Sequence, residues 1–281
     1  MTKVAVFGSL NHDITVTVPR MPGSDETLIA NGIAEFCGGK GFNQAVAAAR
    51  LGARVTMIGA VGRDGTGDLL VEALRSNDVD DALVTRVDAH TGTAVITTDG
   101  SDVTIVIVPG ANGVVGPSLA DKAHAVLAAC DVLILQGEVA SEASARAASI
   151  TRAAGGFVVF SPAPVRADAS TVLPHATHVV ANAGEARALG LTASEHVVIT
   201  RGAQGALVGD RLIPIFPAAT VDPTGAGDAF TAAFAVGLAE GCDVYEATRR
   251  GNAAGSWAVR IAGAEPSMPT RDQLERVLAG A

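Results

Sequence analysis

The chain alternates between short runs of β-branched residues and longer alanine-rich stretches with helical spacing. The short runs predict strands at residues 4–7, 55–58, 132–135, 158–160, 178–180 and 197–200. The alanine-rich stretches predict helices at residues 41–51, 68–76, 141–154, 229–240 and 245–261. A last helix is predicted near the C-terminus, because Thr270 and Gln273 have the spacing of a capping box. Alternation of this kind predicts an α/β fold, with a mostly parallel central sheet flanked by helices.

Two segments follow a different pattern. "DITVTV" at residues 13–18 and "ETLIANGIAEF" at 26–36 alternate or mix apolar and polar residues, and "TAVITTDGSDVTIVIV" at 93–108 predicts two strands around a turn. We expect one α/β domain over residues 1–281, with these antiparallel strands inserted at about 12–36 and 92–108. The strands could form a small lid that stands off the core or extend the main sheet. Periodicity does not distinguish the two, and we take the lid as the working prediction.

Charge narrows the range of partners. The 281-residue chain carries a formal net charge of −9, and its lysines and arginines are scattered without a basic run. We therefore expect neither a nucleic acid nor an anionic membrane as a partner. The first residues, "MTKVAVFGSLNHD", reach Gly and Asp before an apolar stretch of signal length forms, so we expect no targeting segment.

Cysteine and histidine spacing gives little support for a transition-metal site. Cys37, Cys130 and Cys242 lie far apart with no C-x-x-C pair, which favours a reducing cytoplasm over a zinc site or a disulfide framework. His175 and His178 are three residues apart and could imitate a metal pair. Spacing suggests no third ligand, so we expect them to flank a strand instead.

The stretch "VDPTGAGDAF" lies at a predicted junction between extended chain and a helix. The first N–H groups of a helix are unpaired and favour an anion, and Gly225 and Gly227 allow its close approach. Asp228 places a carboxylate inside this anion site, where it could accept a proton. The alternative is an ordinary acid at a helix N-terminus.

A second glycine cluster, "CGGKGFNQ", opens the helix predicted from residue 41 and offers Lys40 and Asn43 as polar groups. Close approach of a small polar ligand is one interpretation, and tight packing before an alanine-rich helix is the other. Neither the G-x-x-x-x-G-K-[ST] loop nor the G-x-G-x-x-G fingerprint occurs, so the common nucleotide-binding loops are absent from the sequence.

Together these motifs resemble the two signatures of the PfkB sugar-kinase family, also called the ribokinase family. The signatures match "GGKGFNQAVAAARLGA" and "DPTGAGDAFTAAF". The shorter motifs "GSLNHD", "VPGAN", "SPAP", "NAGEA", "TRGAQG" and "GAEPSMP" follow in the family's order, and the resemblance covers residues 4–278. One departure is "LTASEH" at 191–196, which is too short for the helix that family members usually carry there.

The resemblance implies an ATP-dependent sugar kinase. Asp228 matches the catalytic base, and the N–H groups of Gly225, Ala226 and Gly227 match an anion hole for the transferred phosphoryl group. The positions that match sugar ligands are Asn11, Asp13, Gly39, Lys40, Gly41, Asn43, Glu138 and Asp228. The leading substrate is D-ribose, phosphorylated on its terminal hydroxymethyl group. The alternatives are another furanose, a nucleoside, or a sugar-binding regulator without activity.

The resemblance also implies the cofactors. The nucleotide positions are Asn182, Glu185, Thr200, Gly202, Gly205, Gly227 and Asn252, of which Asn182 and Glu185 match the motif that organises Mg²⁺ through water. The positions of a site for a monovalent cation, K⁺, are Asp222, Thr224, Ala258, Ile261, Gly263 and Ser267. A simple surface turn is the alternative for this last set. We also expect a homodimer formed through the lid, since a small sheet with one apolar face is marginal alone.

Overall fold

A computed structural model describes residues 1–280. In these residues the strands are β1 (Lys3–Phe7), β2 (Asn11–Thr17), β3 (Gly32–Gly38), β4 (Arg54–Gly62), β5 (Val79–Val87), β6 (Gly92–Thr98), β7 (Val103–Val108), β8 (Val132–Leu135), β9 (Phe157–Phe160), β10 (His178–Asn182), β11 (Val197–Thr200), β12 (Ala206–Val208) and β13 (Arg211–Ile213). The α-helices are α1 (Lys40–Arg50), α2 (Gly65–Ser76), α3 (Pro117–Lys122), α4 (His124–Ala129), α5 (Ser141–Ala153), α6 (Ala183–Ala188), α7 (Ala226–Ala239), α8 (Val244–Ala258), α9 (Ala264–Ser267) and α10 (Arg271–Leu278).

The central sheet has nine strands in the order β13-β12-β11-β10-β9-β8-β1-β4-β5. Neighbours from β11 to β5 are parallel, whereas β12 and β13 add an antiparallel edge. The predicted parallel α/β sheet is therefore confirmed. The pattern did not predict β5 because "VDDALVTRV" mixes charged residues into a half-exposed edge strand. It also missed β12 and β13, which span only three residues each.

Strand β1 shows how the sheet separates two cores. Val4 and Val6 point into the core shared with α1, α2, α7, α8 and α10. Ala5 and Phe7 point the other way, into the core shared with α3, α4 and α5. Because successive side chains of a strand alternate between faces, a strand covered on both sides needs a continuous apolar sequence. This arrangement explains why the buried strands carry no alternating pattern.

The inserted strands form a separate sheet, in the order β3-β2-β6-β7. The pairs β2–β3 and β6–β7 are antiparallel, and the central pair β2–β6 is parallel. The lid is thus favoured over an extension of the main sheet. Each insertion supplies one antiparallel pair, and the parallel contact between the insertions was not predicted. Strand β3 begins only at Gly32, so the first part of residues 26–36 lies outside the sheet.

The connection between β10 and β11 is as short as the sequence suggested. It contains α6, and residues 189–196, all of them described, form no α-helix. The capping box of the last helix is also present, because Gln273 Oε1 accepts from the Thr270 N–H at 2.8 Å and Thr270 accepts in return. Across residues 1–280, every helix is too short or too polar to be a membrane span.

His178 begins β10, as predicted for a residue that flanks a strand, and is buried among aromatic rings. Its ring centroid lies 6.0 Å from that of Phe157, 5.8 Å from that of His196 and 5.7 Å from that of Phe234. Burial, assisted by the charges of His196 and Arg152, lowers the pKa of His178 to about 4. The ring therefore stays neutral in the folded protein at pH values where the unfolded chain is protonated.

We predict that His178 lowers the free energy of unfolding as the pH falls from about 6.5 to about 4, because the unfolded state binds the extra proton in this window. His178→Gln should remove this contribution, which amounts to roughly 3 kcal/mol at its limit. Urea unfolding at pH 7 and pH 5 measures it as the difference between variant and wild type. His124→Gln, at an exposed position, is the control. Parallel pH dependence in wild type and His178→Gln would contradict the assignment.

Candidate active site

The predicted site residues meet at the carboxyl ends of the parallel strands. This edge carries the segment after β1, the segment after β8 with Glu138, and the end of β10 at Asn182. Open α/β sheets bind ligands outside this edge. The N-termini of α1 and α7 reach the same place, because Asn43 on α1 contacts Asp228 on α7. The lid strand β2 reaches it too, because Asp13 lies close enough to Glu138 and Asp228 for their charges to act on it. The fold thus brings together motifs that are far apart in sequence.

Asp228 lies in the first turn of α7 and is only 6% exposed. Its Oδ2 accepts a hydrogen bond from Asn43 Nδ2 at 3.1 Å, and its Oδ1 accepts one from Gln44 Nε2 at 2.8 Å. A simple helix-terminal acid would cap its own helix from an exposed position. Asp228 is instead buried and held by two amides from another helix, so this carboxylate has a fixed orientation.

The helix start beside Asp228 depends on glycine. Gly225 precedes α7 with φ of 80°, and a Cβ there would lie 2.9 Å from Ala264 Cα. The N–H of Gly227, in the first turn, has no partner inside the helix. The N–H of Ala226 donates to the carbonyl oxygen of Pro223 at 3.2 Å. An anion at this terminus would therefore meet Gly225 and Gly227 directly and would compete with Pro223 for Ala226.

Glu138 is tied to the start of α1 and is not a solvated loop acid. Its Oε2 accepts from the backbone N–H of Lys40 at 3.0 Å and from the hydroxyl of Ser9. Gly39 precedes the helix with φ of 89°. At Gly41 a Cβ would lie 2.6 Å from the Ser9 backbone nitrogen, so only glycine allows this close approach. The glycine cluster therefore serves tight packing, which in turn positions Glu138.

Asp13 projects from the lid strand β2 toward this group. Burial, together with the charges of Glu138 and Asp228, raises the pKa of Asp13 to about 7, although Lys40 acts in the opposite direction. Gly38 leaves the necessary space, because a Cβ there would lie 2.0 Å from Asp13 Oδ2. In the described part of the chain, the buried Asp13 Oδ1 has no hydrogen-bond donor.

Asn11 and Asn43 complete the polar wall. Asn112, which was not predicted, donates from Nδ2 to Asn11 Oδ1 at 2.7 Å and fixes that amide. Asn43 Oδ1 is buried without a donor among residues 1–280, as is Asp13 Oδ1. Buried acceptors are nearly always hydrogen-bonded in native proteins. Two such acceptors near one site are therefore available to a ligand that supplies hydrogen-bond donors.

Lys40 joins this polar wall to a second cavity. The Asp228 charge raises the pKa of the Lys40 ammonium, against the effect of burial. Lys40 and Asp228 line a cavity of about 150 Å³, whose walls also include Asn182, Glu185, Thr200 and Gly227. A permanent positive charge beside a helix N-terminus makes this small cavity suitable for phosphate oxygens.

A larger cavity of about 450 Å³ adjoins it and is mainly apolar. Among the predicted nucleotide positions, it is lined by Thr200, Gly202, Gly205, Gly227 and Asn252. The Asn252 amide donates to the carbonyl oxygens of Ile213 at 2.9 Å and Pro214 at 3.1 Å. Its side chain therefore fixes the wall of the cavity, and its NH₂ group is already used in these two hydrogen bonds.

Asn182 and Glu185 form a reciprocal capping box at the start of α6. Asn182 Nδ2 also donates to Glu185 Oε1 at 2.7 Å, so the two side chains are fixed against each other. Burial raises the pKa of Glu185, while the Asn182 backbone bond and Lys40 act to lower it. Both residues line the small cavity, and their amide and carboxylate oxygens are of the kind that hold a hydrated Mg²⁺.

Asp222 organises the loop predicted to hold a monovalent cation. Its Oδ1 accepts from the Thr224 N–H and its Oδ2 from the Gly263 N–H, both at 2.8 Å. Burial favours a higher pKa, but these bonds outweigh it and hold the pKa of Asp222 below its usual range. The Ser267 hydroxyl donates to the Ala264 carbonyl at 2.7 Å. The Asp222 carboxylate therefore ties the segment before α7 to the segment before α9.

Sequence reasoning missed four polar residues of the site: Ser9, Gln44, Asn112 and Gln136. All four are buried. Gln44 directly follows Asn43, and Gln136 lies two residues before Glu138, so their proximity to predicted residues was the available signal. No sequence rule distinguishes a buried glutamine that contacts a site from one that only fills space.

Comparison with known proteins agrees with this geometry. Residues 1–271 match the model of the pfkB family carbohydrate kinases. The chain belongs to the pfkB family. Its members are phosphotransferases that act on an alcohol group, so the protein is a carbohydrate kinase.

Full-length relatives support the same assignment. The chain is 38% identical to ribokinase of Bacillus subtilis over 293 residues, covering 99% of this chain and 100% of that protein. It is 31% identical to deoxyribokinase of Salmonella typhi over 301 residues, covering 98% of each. A structure of Arabidopsis thaliana ribokinase complexed with ribose and ATP superposes with a TM-score of 0.88 at 31% identity, covering 99% of both chains. The predicted fold class is confirmed.

Proposed function

We propose that this pfkB carbohydrate kinase transfers the γ-phosphoryl group of ATP to the terminal hydroxymethyl group of D-ribose. The observation that carries the proposal is the position of Gly227. It lines both the apolar cavity suited to a nucleotide and the small polar cavity that contains Asp228. A phosphoryl group at the start of α7 would therefore lie between a bound nucleotide and a bound sugar.

In the proposed reaction, Asp228 accepts the proton of the sugar hydroxyl as that oxygen attacks the γ-phosphorus. The bond from phosphorus to the ADP oxygen breaks, and ADP leaves. The N–H groups of Gly225 and Gly227 face the equatorial phosphoryl oxygens, and Lys40 supplies positive charge. Phosphoryl transfer needs positioning and charge stabilisation more than covalent help from the protein. Asn182 and Glu185 would hold a hydrated Mg²⁺, which neutralises phosphate charge when bound.

Ribose is favoured as the sugar because the polar wall offers acceptors and donors to several adjacent hydroxyls. Asp13 and Asn43 present acceptors, and the carboxylate of Glu138 lies beside them. Two of the related proteins are ribokinases, one of them solved with ribose and ATP. Deoxyribose is the specific alternative, because a deoxyribokinase is also among the relatives. Another furanose, a nucleoside, or binding without turnover are the remaining outcomes of a substrate panel.

Asp228→Asn should keep the fold and lower kcat by at least ~100-fold, since it removes the general base. Turnover of ribose and ATP, followed by ADP release, measures the effect, and ribose binding by calorimetry reports an intact site. Asp272→Asn is the matched control, because Asp272 is an exposed acid in the first turn of α10. Near-wild-type turnover of a folded Asp228→Asn protein would sink the mechanism.

Asp13→Ala should lower kcat/KM for ribose by an amount that corresponds to about 2 kcal/mol or more, because the sugar loses a buried hydrogen-bond acceptor in the site. KM for ATP should change little. Wild-type protein should prefer ribose to 2-deoxyribose, since a site built for a hydroxyl discriminates against its absence. Asp102→Ala, an exposed aspartate in the lid turn, is the control. Unchanged kcat/KM in Asp13→Ala, or a nucleoside better than ribose, would remove ribose as the proposed substrate.

Potassium should raise activity through the loop that Asp222 organises. The proposed ligands are oxygen atoms of Asp222, Thr224, Ala258, Ile261, Gly263 and Ser267. Asp222 also bonds Gly263, which precedes α9, and α9 packs against Gly225 at the anion hole. A cation there would order that terminus. Rates in KCl and in tetramethylammonium chloride at equal ionic strength test this, and equal rates would rule it out.

The lid should pair with the lid of a second copy. Strand β7 is exposed along its whole length, and Val95 and Val106 pair on one face with 37% and 58% exposure. A small sheet with such an apolar face gains by covering it. We expect the wild type to be a homodimer by light scattering and Val106→Asp to be a monomer. The control is Leu212→Asp, which replaces an exposed apolar residue at the edge of the central sheet and should remain dimeric. A fully active wild-type monomer at high micromolar concentration would refute this.

A further inference from the structure

A chain of two buried amides ends on the proposed catalytic base. Gln136 Nε2 donates to Gln44 Oε1 at 2.7 Å, and Gln44 Nε2 donates to Asp228 Oδ1 at 2.8 Å. Gln44 is completely buried and Gln136 is 1% exposed. Neither side chain is among the groups assigned above to the sugar, the nucleotide or a cation. The Gln44 amide is bonded through both its nitrogen and its oxygen, whereas Gln136 is bonded through its nitrogen, and its buried Oε1 has no donor among residues 1–280.

The direction of this chain is fixed by chemistry. A carboxylate only accepts hydrogen bonds, so Gln44 must turn its NH₂ group toward Asp228 and its oxygen away. A 180° turn of the Gln44 amide would place its oxygen against the carboxylate and its NH₂ group against the NH₂ group of Gln136. Both contacts would be repulsive. Gln136 therefore locks Gln44 as a donor to Asp228.

Gln136 lies on the same loop as Glu138. Gln136 directly follows β8, and it packs on Gly8 at the end of β1, where a Cβ would lie 1.8 Å from Gln136 Oε1. Glycine at this position leaves the room that the amide occupies. On α1, Asn43 and Gln44 hold the two different oxygens of Asp228, so one helix fixes the plane of the carboxylate.

We propose that Gln44 is a positioning residue for the base, and that Gln136 acts on the base only through Gln44. The inference rests on the proposed function, because it needs Asp228 as the proton acceptor. Gln44 would hold Asp228 so that Oδ2, beside Asn43, faces the sugar hydroxyl. A hydrogen bond donated to a carboxylate also stabilises its charged form. Loss of Gln44 should therefore both misorient the base and make it harder to ionise.

Charged groups from each neighbouring element act on the same carboxylate. Lys40 at the start of α1 attracts it, whereas Asp13 of β2 and Glu185 of α6 repel it, with Glu138 nearby on the loop after β8. These groups are unchanged when Gln44 is replaced by methionine, which has nearly the same shape. A change in the pH profile of that variant would therefore report the missing amide.

The test compares wild type, Gln44→Met, Gln136→Met, the double variant and Asp228→Asn, using ribose and ATP. Gln44→Met should lower kcat by about tenfold or more and move the acidic limb of kcat/KM upward by about one pH unit, the size expected for a hydrogen bond to a charged group. KM for ribose should stay within about twofold. Gln136→Met should act in the same direction more weakly, and it should add nothing in the Gln44→Met background.

Thr151→Val is the control for loss of a buried hydrogen bond. Thr151 is fully buried in α5, and its hydroxyl donates to the Leu127 carbonyl at 2.9 Å, away from the site. It should lower the melting temperature without moving the acidic limb. If Gln44→Met fails to fold, Gln44→Glu, of equal size, takes its place. It should move the limb further because it sets a second carboxyl against Asp228.

The outcomes separate the two proposals. If Gln44 and Gln136 variants match wild type while Asp228→Asn is inactive, the positioning role is wrong and the proposed function stands. Additive effects of the two glutamine variants would show independent structural roles and overturn the coupling. A shift of the acidic limb in Thr151→Val would mean that the limb reports general loosening, which also overturns it. An active Asp228→Asn protein would remove the base and the positioning role together.

Discussion

The contact between α1 and α7 is the constraint on which the site depends. Both helices bring alanines into one core, so their backbones approach closely at the carboxyl edge of the sheet. That approach lets Asn43 and Gln44 reach across and hold the Asp228 carboxylate. The glycines at the two helix starts have other causes, since a Cβ at Gly41 would meet the Ser9 backbone and a Cβ at Gly225 would meet Ala264 and Met268. The alanine-rich composition therefore determines how closely the two helices approach each other and how Asp228 is held.

Charge is concentrated where the helices meet. Four carboxylates, of Asp13, Glu138, Glu185 and Asp228, act on the ammonium of Lys40. The arrangement raises the pKa of Asp13 to about 7 when burial is included. Such crowding of like charges is unfavourable for stability alone, and it is typical of sites where proton transfer or polar recognition needs it. A hydroxyl-rich ligand relieves the crowding by donating hydrogen bonds to the acceptors.

Much of this architecture could be predicted, because buried parallel strands and alanine-rich helices leave strong local signals. The signatures around Lys40 and Asp228 carry the family resemblance in a few residues, and both lie in the site. The roles of Asn112 and Gln136 could not be predicted, since their effect depends on contacts with residues about a hundred positions away. Nor could periodicity show the parallel pairing of β2 with β6, because it records the spacing within a strand and not the identity of its neighbour.

All four connections between the lid and the core lie at one end of the lid. Strand β2 enters at Asn11, β3 leaves at Gly38 opposite it, and β6 enters at Gly92 on the other side. Strand β7 leaves at Val108, opposite the second residue of β6. The chain therefore connects this sheet to the core along one edge only.

In a rotation about this edge, the displacement of a lid residue would grow with its distance from the edge. Asp13 lies two residues from the edge and Thr17 lies six, so any rotation about it would move Asp13 only about a third as far as Thr17. Under such a rotation Asp13, a predicted sugar ligand, would stay nearly in register with the core, and the far end of the strand would move the most.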